Sequence, residues 1–420
     1  TEERDDRIIG VAMTASLAVL LVVGVLIGGG FAVHWWLKPS DEPVLTETDQ
    51  ALPSLPVRPQ LAIPHVPFTD VTRQAGIDFV HENGAYGDKL LPETMGGGAA
   101  FLDIDADGDP DLLLVNSCRW PWDIRPPGKT PPTLRLYTND GAGRFNDVTA
   151  DWGLDIELYG MGCAVGDFDN DGRVDLFIST VGSNRLFRNT GSRFEDVTGS
   201  AGVAGGKDEW SSSCGFFDYD DDGDLDLFVC NYVRWSKDFD LGQDHTLDGK
   251  LRAYGAPQTF PGTYPYLYRN DGDGRFTDVS AEAGVQIDQR DSRAPLAKSL
   301  GVTFADLNRD GRIDFVVAND TVQNFLFVNQ GDGKFAEHGG ETGVGYDPGG
   351  KAQGAMGVDC ARFRNTDDVG IAIGNFTNES TALYVCQSLS RDLPQFRDEA
   401  IANGISPLTR QSSMNRACSS

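Results

Sequence analysis

The stretch DFDNDGRVDLFIS, Asp167 to Ser179, joins two readings in one register. Asp167, Asp169, Asp171 and Asp175 place oxygen side chains at positions 1, 3, 5 and 9, and Gly172 at position 6 allows the sharp backbone turn that brings them to one point. That set suits a hard cation with six to eight oxygen ligands. The residues that follow are short, apolar and rich in β-formers, which reads as a buried strand. The same unit recurs as DIDADGDPD at Asp103–Asp111, DYDDDGDLD at Asp218–Asp226 and DLNRDGRID at Asp306–Asp314, followed by LLLV, LFVC and FVVA. Candidate ligands are therefore Asp103, Asp105, Asp107 and Asp111; Asp167, Asp169, Asp171 and Asp175; Asp218, Asp220, Asp222 and Asp226; and Asp306, Asn308, Asp310 and Asp314. Position 7, at Asp109, Arg173, Asp224 and Arg312, should contribute its carbonyl, leaving its side chain free to vary. An EF-hand needs a bidentate Glu at position 12 and flanking helices. Position 12 is Leu114, Ile178, Val229 or Val317, so that class is excluded.

A second motif alternates with the first. The pattern F-x-[D/E]-x-x-x-x-x-G-[V/I/L] begins at Phe68, Phe145, Phe194, Phe276, Phe335 and Phe396, with spacings of 77, 49, 82, 59 and 61 residues. Turns such as Asn139-Asp140-Gly141 and Asn270-Asp271-Gly272 precede most copies, which is hairpin chemistry. With 50 glycines the composition reads as all-β, and a unit of roughly 50 residues with inserts means blades or arrays, of which blades fit the short strands. In the fifth interval the register puts Arg362, Arg364, Thr366 and Gly370 where carboxylates belong. Guanidinium groups donate only, so that blade should hold no metal.

These alternating motifs resemble the FG-GAP or VCBS repeats of integrin-α-like β-propellers, and their pairing is similar to the cartilage acidic protein family with its ASPIC/UnbV-type relatives. The resemblance runs from Phe68 to about Ile405. It implies four-stranded antiparallel blades, with Ca²⁺ in the loop between the first two strands of each of about four blades. A family insert resembling Asn231–Tyr266 often carries a cysteine pair, which is missing here. Family chains also continue into further blades and an ASPIC/UnbV domain. Residues 406–420 cannot build a blade, so the pattern is expected to be cut off near Ser406, the alternative being a closed five-bladed ring.

Ahead of the repeats, Ile8 to Val33 is a run of 26 uncharged residues, longer than the roughly 20 needed to span a bilayer. Arg4 and Arg7 precede it, and His34, Trp35, Trp36 and Lys38 follow, which fits a signal-anchor helix with the bulk of the chain outside the cytoplasm. The alternative is a cleaved signal peptide and a secreted protein. Residues 34–67 hold seven of the 21 prolines and read as an extended spacer. The resulting division is 1–7 flank, 8–33 transmembrane helix, 34–67 linker, 68–405 propeller and 406–420 tail.

A formal charge of −28 repels phosphate backbones and excludes nucleic acid as a partner. Seven cysteines without a C-x-x-C pair read as buried free thiols. The five histidines share no metal spacing, and Gly345–Lys351 matches G-x-x-x-x-G-K but is followed by Ala352 where a P-loop needs Ser or Thr. No catalytic motif stands out. Two function classes follow: a membrane-anchored, calcium-binding scaffold whose inserts Ser117–Leu136 and Asn231–Tyr266 bind protein or carbohydrate, and a polysaccharide-acting enzyme on a propeller frame. A pocket with convergent acids away from the Asp loops would favour the enzyme.

Overall fold

A computed structural model describes residues 6–36, 67–126, 133–247, 249–364, 366–389 and 393–410. The linker of residues 34–67 and the tail therefore lie largely outside the described residues. The chain divides into two units, Thr1–Phe68 and Thr69–Ser420. In the first, a helix α1 runs from Asp6 to Trp36, and its stretch Met13–His34 is long and apolar enough to cross a membrane.

The second unit is all-β. Its first sheet is β1 (Ala99–Leu102), β2 (Asp111–Leu114), β3 (Arg135–Asn139) and β4 (Phe145–Asp147). The second is β5 (Gly160–Gly166), β6 (Asp175–Thr180), β7 (Arg185–Asn189) and β8 (Phe194–Asp196). The third opens with β9 (Ser211–Phe217) and β10 (Asp226–Asn231), is interrupted by an insert holding the small hairpin β11 (Thr246–Leu247) and β12 (Leu251–Arg252), and closes with β13 (Tyr266–Asn270) and β14 (Phe276–Asp278). The fourth is β15 (Ser299–Ala305), β16 (Asp314–Asn319), β17 (Phe325–Gly331) and β18 (Lys334–Glu337); the fifth is β19 (Ala355–Arg362), β20 (Val369–Asn375), β21 (Ala382–Leu389) and β22 (Pro394–Asp398). Each is a four-stranded antiparallel sheet with its strands in chain order, the blade of a β-propeller.

The second strands β6, β10 and β16 are buried at every residue, which is why they read as unbroken apolar runs rather than alternating ones. Neighbouring blades share cores: Leu102, Leu113 and Leu136 pack with Leu176, Ile178 and Phe187, and Phe217 and Phe228 with Phe315, Phe327 and Phe335. Burying each such side chain contributes roughly 1.5–3 kcal/mol. The first strands face one cavity of about 520 Å³, lined by Ala99, Met161, Ser212, Leu300 and Met356. Their close approach requires Gly162, where a Cβ would stand 2.4 Å from the Ser212 carbonyl oxygen.

The F-x-D motif is the joint between blades. Asp147, Asp196 and Asp278 accept the N–H of the residue two further on (Thr149, Thr198, Ser280) at 2.9–3.0 Å, and each of those hydroxyls accepts an N–H from its blade's third strand or its start (Leu136, Leu186, Leu267) at 2.9 Å. The turn then reaches a glycine of positive φ lying against the carbonyl of the next copy's Phe. A Cβ on Gly76 would be 2.8 Å from the Phe145 oxygen, on Gly284 2.9 Å from that of Phe335, and on Gly343 2.7 Å from that of Phe396.

A further tie joins the third-blade insert to the fourth blade. The Tyr232 hydroxyl donates to buried Asp320 at 2.5 Å, and the ammonium of buried Lys298 donates to the Pro257 carbonyl at 2.8 Å. The Asp320 carboxyl is pushed up to about 6, mainly by burial, with the Tyr232 hydrogen bond and Lys298 pulling it back and Glu379 adding to it. Its contribution to stability is fully present below the ordinary value of 3.8 and is lost as pH rises through about 6. The stability difference between wild type and Asp320→Asn should therefore fall by up to about 3 kcal/mol on going from pH 4 to pH 7. Denaturant titrations at both pH values check this, and a constant difference would show that Asp320 does not titrate there.

Candidate metal centres

Each Asp-rich loop spans the turn from the first to the second strand of its blade, and the last Asp begins the second strand: Asp111, Asp175, Asp226 and Asp314 are wholly buried. The four loops share one backbone. Ala106, Asn170, Asp221 and Arg309 at position 4 have φ of 61, 54, 62 and 61°, and Gly at position 6 has φ of 84–91°. The first Asp folds the loop by accepting N–H groups from positions 5 and 6, as in Asp167 from Asp171 at 3.0 Å and Gly172 at 2.8 Å. The ninth takes the position 2 N–H on one oxygen (Ile104 2.9 Å, Phe168 3.1 Å, Tyr219 3.0 Å, Leu307 3.0 Å). Its other oxygen takes the N–H of an Asn at the end of the third strand, Asn139 at 2.9 Å and Asn189, Asn270 and Asn329 at 2.8 Å.

Sequence reasoning missed those asparagines. The side chains of Asn189, Asn270 and Asn329 also cross to the preceding loop, donating to the carbonyls of Ile104 (3.0 Å), Phe168 (2.7 Å) and Tyr219 (2.8 Å). The available signal is the recurrent Asn before each hairpin turn, a residue that turn chemistry alone also accounts for.

Carboxylates at positions 1, 3 and 9 gather in three loops: Asp103, Asp105 and Asp111; Asp167, Asp169 and Asp175; Asp218, Asp220 and Asp226 each offer ligand atoms within 4.8 Å of one another. Burial pushes Asp175 and Asp226 up to about 7, with nearby loop carboxylates adding to the rise, and it raises Asp111, Asp169 and Asp220 as well. Asp169 Oδ1 is enclosed without a hydrogen-bond partner among the described residues. Hard oxygen donors crowded together, with a buried one unpaired, fit a calcium ion. In the fourth loop Asn308 replaces the third carboxylate and donates from Nδ2 to Asp310 at 3.0 Å, so the set there is poorer.

The side chain at position 7 varies among the loops and has a partner in three of them. Arg173 and Arg312 donate from Nε to the carbonyls of Asn189 (2.8 Å) and Asn329 (3.2 Å) and pair with Asp171 and Asp310. Asp224 accepts from Asn170 Nδ2 at 2.7 Å, linking the second and third loops. The reason is proximity: the seventh residue faces its blade's own hairpin, where a Cβ on Gly141 would meet Asp109 Oδ2 at 2.5 Å.

The fifth loop also departs from the expected register. Arg362 pairs with Val369, whereas Leu102 pairs with Asp111, so the loop is two residues shorter and Phe363 and Val369 stand at the first and ninth positions. Arg364 turns away to Glu399 (2.5 Å) and Asn403 (3.1 Å). Six described cysteines are free thiols, Cys118, Cys163, Cys214, Cys230, Cys360 and Cys386. Gly345–Lys351 forms a turn in which Asp347 accepts the N–H groups of Gly349 (2.9 Å) and Lys351 (2.8 Å).

On the insert side, Trp120 stacks on Trp122, Tyr159 and Trp235 with centroids 5.0, 4.2 and 5.2 Å away, so the inserts of the first and third blades share one aromatic cluster. Buried Asp240 accepts from Leu91 N (2.7 Å), Trp235 Nε1 (2.7 Å) and Arg252 Nη2 (2.8 Å). Beside it lies a cleft of about 740 Å³ lined by Arg234, Trp235, Tyr264, Tyr266, Thr263 and Gln286 together with Asp208 and Glu209. Both acids are held by neighbours, Asp208 by Lys207 at 2.8 Å and Glu209 by the Tyr266 hydroxyl and Gly206 N.

Five four-stranded blades, the first four with an Asp-rich loop between their first two strands, make a β-propeller, and the FG-GAP-like repeat model matches residues 103–178, 167–229 and 244–317. Among named proteins the chain is similar to cartilage acidic protein 1. It is 26% identical to the Mus musculus protein over 330 residues, 74% of this chain and 44% of the relative, and 24% identical to the Homo sapiens protein over 330 residues, 74% and 43%. The chain thus spans less than half the length of these relatives. An Agrocybe aegerita lectin that recognises non-reducing terminal N-acetylglucosamine aligns over 72% of this chain and 66% of its own at 15% identity and a TM-score of 0.40.

Proposed function

We propose that the chain is a calcium-stabilised propeller, anchored by α1 and held outside the cytoplasm, whose joined inserts form a binding surface for a protein or a glycan. The observation that carries this reading is the stack of Trp120 on Trp235, which unites two long inserts into one surface next to the 740 Å³ cleft. Aromatic walls with a few convergent polar groups are what ligand clefts use. Within it the Arg234 side chain has no partner among the described residues, and Thr263 Oγ1 is buried without one. Extracellular modules bind calcium at about 10⁻⁴–10⁻³ M, far above cytosolic levels, which supports the outward placement.

Screening the full chain in detergent against immobilised glycans and extracellular proteins should yield a ligand whose affinity drops about tenfold or more in Arg234→Ala, a polar anchor in the cleft. Binding unchanged by Arg234→Ala would remove the cleft from the account. The enzyme reading retains Asp208 and Glu209 in the cleft as its support; release of reducing ends from a bound polysaccharide, abolished by Glu209→Gln, would favour it over the scaffold. Protease added to intact cells, or to spheroplasts, should cut between Lys38 and Pro67 and free the propeller; protection until the inner membrane is lysed would reverse the topology.

A further inference from the structure

At the fifth position the four loops differ in what holds the second carboxylate oxygen. In every loop Oδ1 of that residue accepts the N–H of position 7, at 2.9–3.0 Å. In the second loop Oδ2 of Asp171 is taken by Arg173 Nη2, and in the fourth Oδ2 of Asp310 is taken by Arg312 Nη2 and Asn308 Nδ2. Each arginine is also pinned by its Nε to a hairpin carbonyl, so its head is held in place over the loop. In the first and third loops position 7 is Asp109 or Asp224, and none of the described residues donates to Oδ2 of Asp107 or Asp222. Composition follows the same division. Asp103–Asp111 holds five aspartates and Asp218–Asp226 six, with no basic residue, whereas Asp167–Asp175 holds four with one arginine and Asp306–Asp314 three with two arginines.

Resting on the calcium reading above, we infer that Arg173 and Arg312 are resident counter-ions and that the loops are unequal cation sites: Ca²⁺ binds firmly at the first and third, more weakly at the second, and is dispensable at the fourth. Affinity in such loops follows the charge and number of ligands. At the second loop an incoming ion must displace a guanidinium from Asp171 or do without that ligand, although Asp167, Asp169 and Asp175 remain gathered. At the fourth, the third-position carboxylate is absent and Arg312 already holds Asp310, while Arg309 adds a further positive charge to the loop with its guanidinium on the Asp367 carbonyl. The division falls on function as proposed. Asp111 opens β2, which runs to the insert at Ser117, and Asp226 opens β10, which runs to the insert at Asn231. The blades that respond to calcium are the two that carry the binding surface.

Hydrogen exchange read by mass spectrometry on the full chain in detergent, stripped with chelator and titrated with CaCl₂, tests this loop by loop. Peptides covering 103–111 and 218–226 should gain protection at about tenfold lower calcium than the peptide covering 167–175, and 306–314 should not change. Arg173→Asp should bring the second loop to the calcium range of the first and third. Arg173→Gln, which adds no charge that could unfold the metal-free loop, should move it part of the way. Equal calcium ranges for all four loops, or a second loop unmoved by Arg173→Gln, would overturn the inference. Absence of protection at every loop up to millimolar calcium would instead overturn the calcium reading itself.

Discussion

Gly284→Ala is expected to lower the stability of the propeller by about 2–4 kcal/mol, and Gly404→Ala by only about 1 kcal/mol. Both glycines close an F-x-D turn at nearly the same φ, 80° and 74°, so the backbone strain of an alanine is common to the two. They differ in what stands opposite. A Cβ on Gly284 would be 2.9 Å from the Phe335 carbonyl oxygen, in a joint where the Phe335 N–H donates to the Ala283 carbonyl at 2.8 Å, and neither backbone can yield without opening the fourth blade against the third. Gly404 has nothing within 4 Å among the described residues. Denaturant midpoints of the two variants measure the difference. Equal losses would mean that the contact between copies contributes nothing beyond the turn.

Asp220→Ala should reverse its effect with calcium. In chelator the variant should be as stable as wild type or slightly more so, because Asp220 is raised by burial and then by Asp222 and Asp218, a sign that its charge is unwelcome there without a cation. At about 5 mM calcium it should be less stable by about 1–2 kcal/mol, the mass-action stabilisation expected of an extracellular-class site that the variant loses. Arg364→Ala is the control: its guanidinium bonds to Glu399 and Asn403 and its loop lacks aspartates at the first and ninth positions, so the calcium response should remain intact. A calcium response reduced as much by Arg364→Ala as by Asp220→Ala would contradict this placement of the sites.

The loops and the strands after them were legible because their chemistry restricts residue types: ligand oxygens must alternate, position 6 must turn, and a strand buried on both faces must be apolar throughout. What lay between copies was not legible. The F-x-D motif announced a repeat, but that Gly76 sits under Phe145 is a contact across about 70 residues, with no local signature. The same holds for Asn270 reaching Phe168 and for the seventh-position arginines, whose partners belong to a hairpin rather than to the loop. The fifth loop misled because Arg362 onward has no glycine at position 6 to anchor the count, and only the pairing of Arg362 with Val369 shows its length. Asp240, buried in the third-blade insert and shared by Leu91, Trp235 and Arg252, passed unnoticed since its partners come from three segments without a common period.

Thermal unfolding of the full chain in detergent, with about 5 mM CaCl₂ and again with excess chelator, tests the central claim most directly. Several loops that each contribute about 1–2 kcal/mol in calcium should raise the midpoint by several degrees, and magnesium, which demands a tighter octahedral geometry, should not substitute. Superimposable transitions in calcium and in chelator would contradict the assignment of the Asp-rich loops as metal centres.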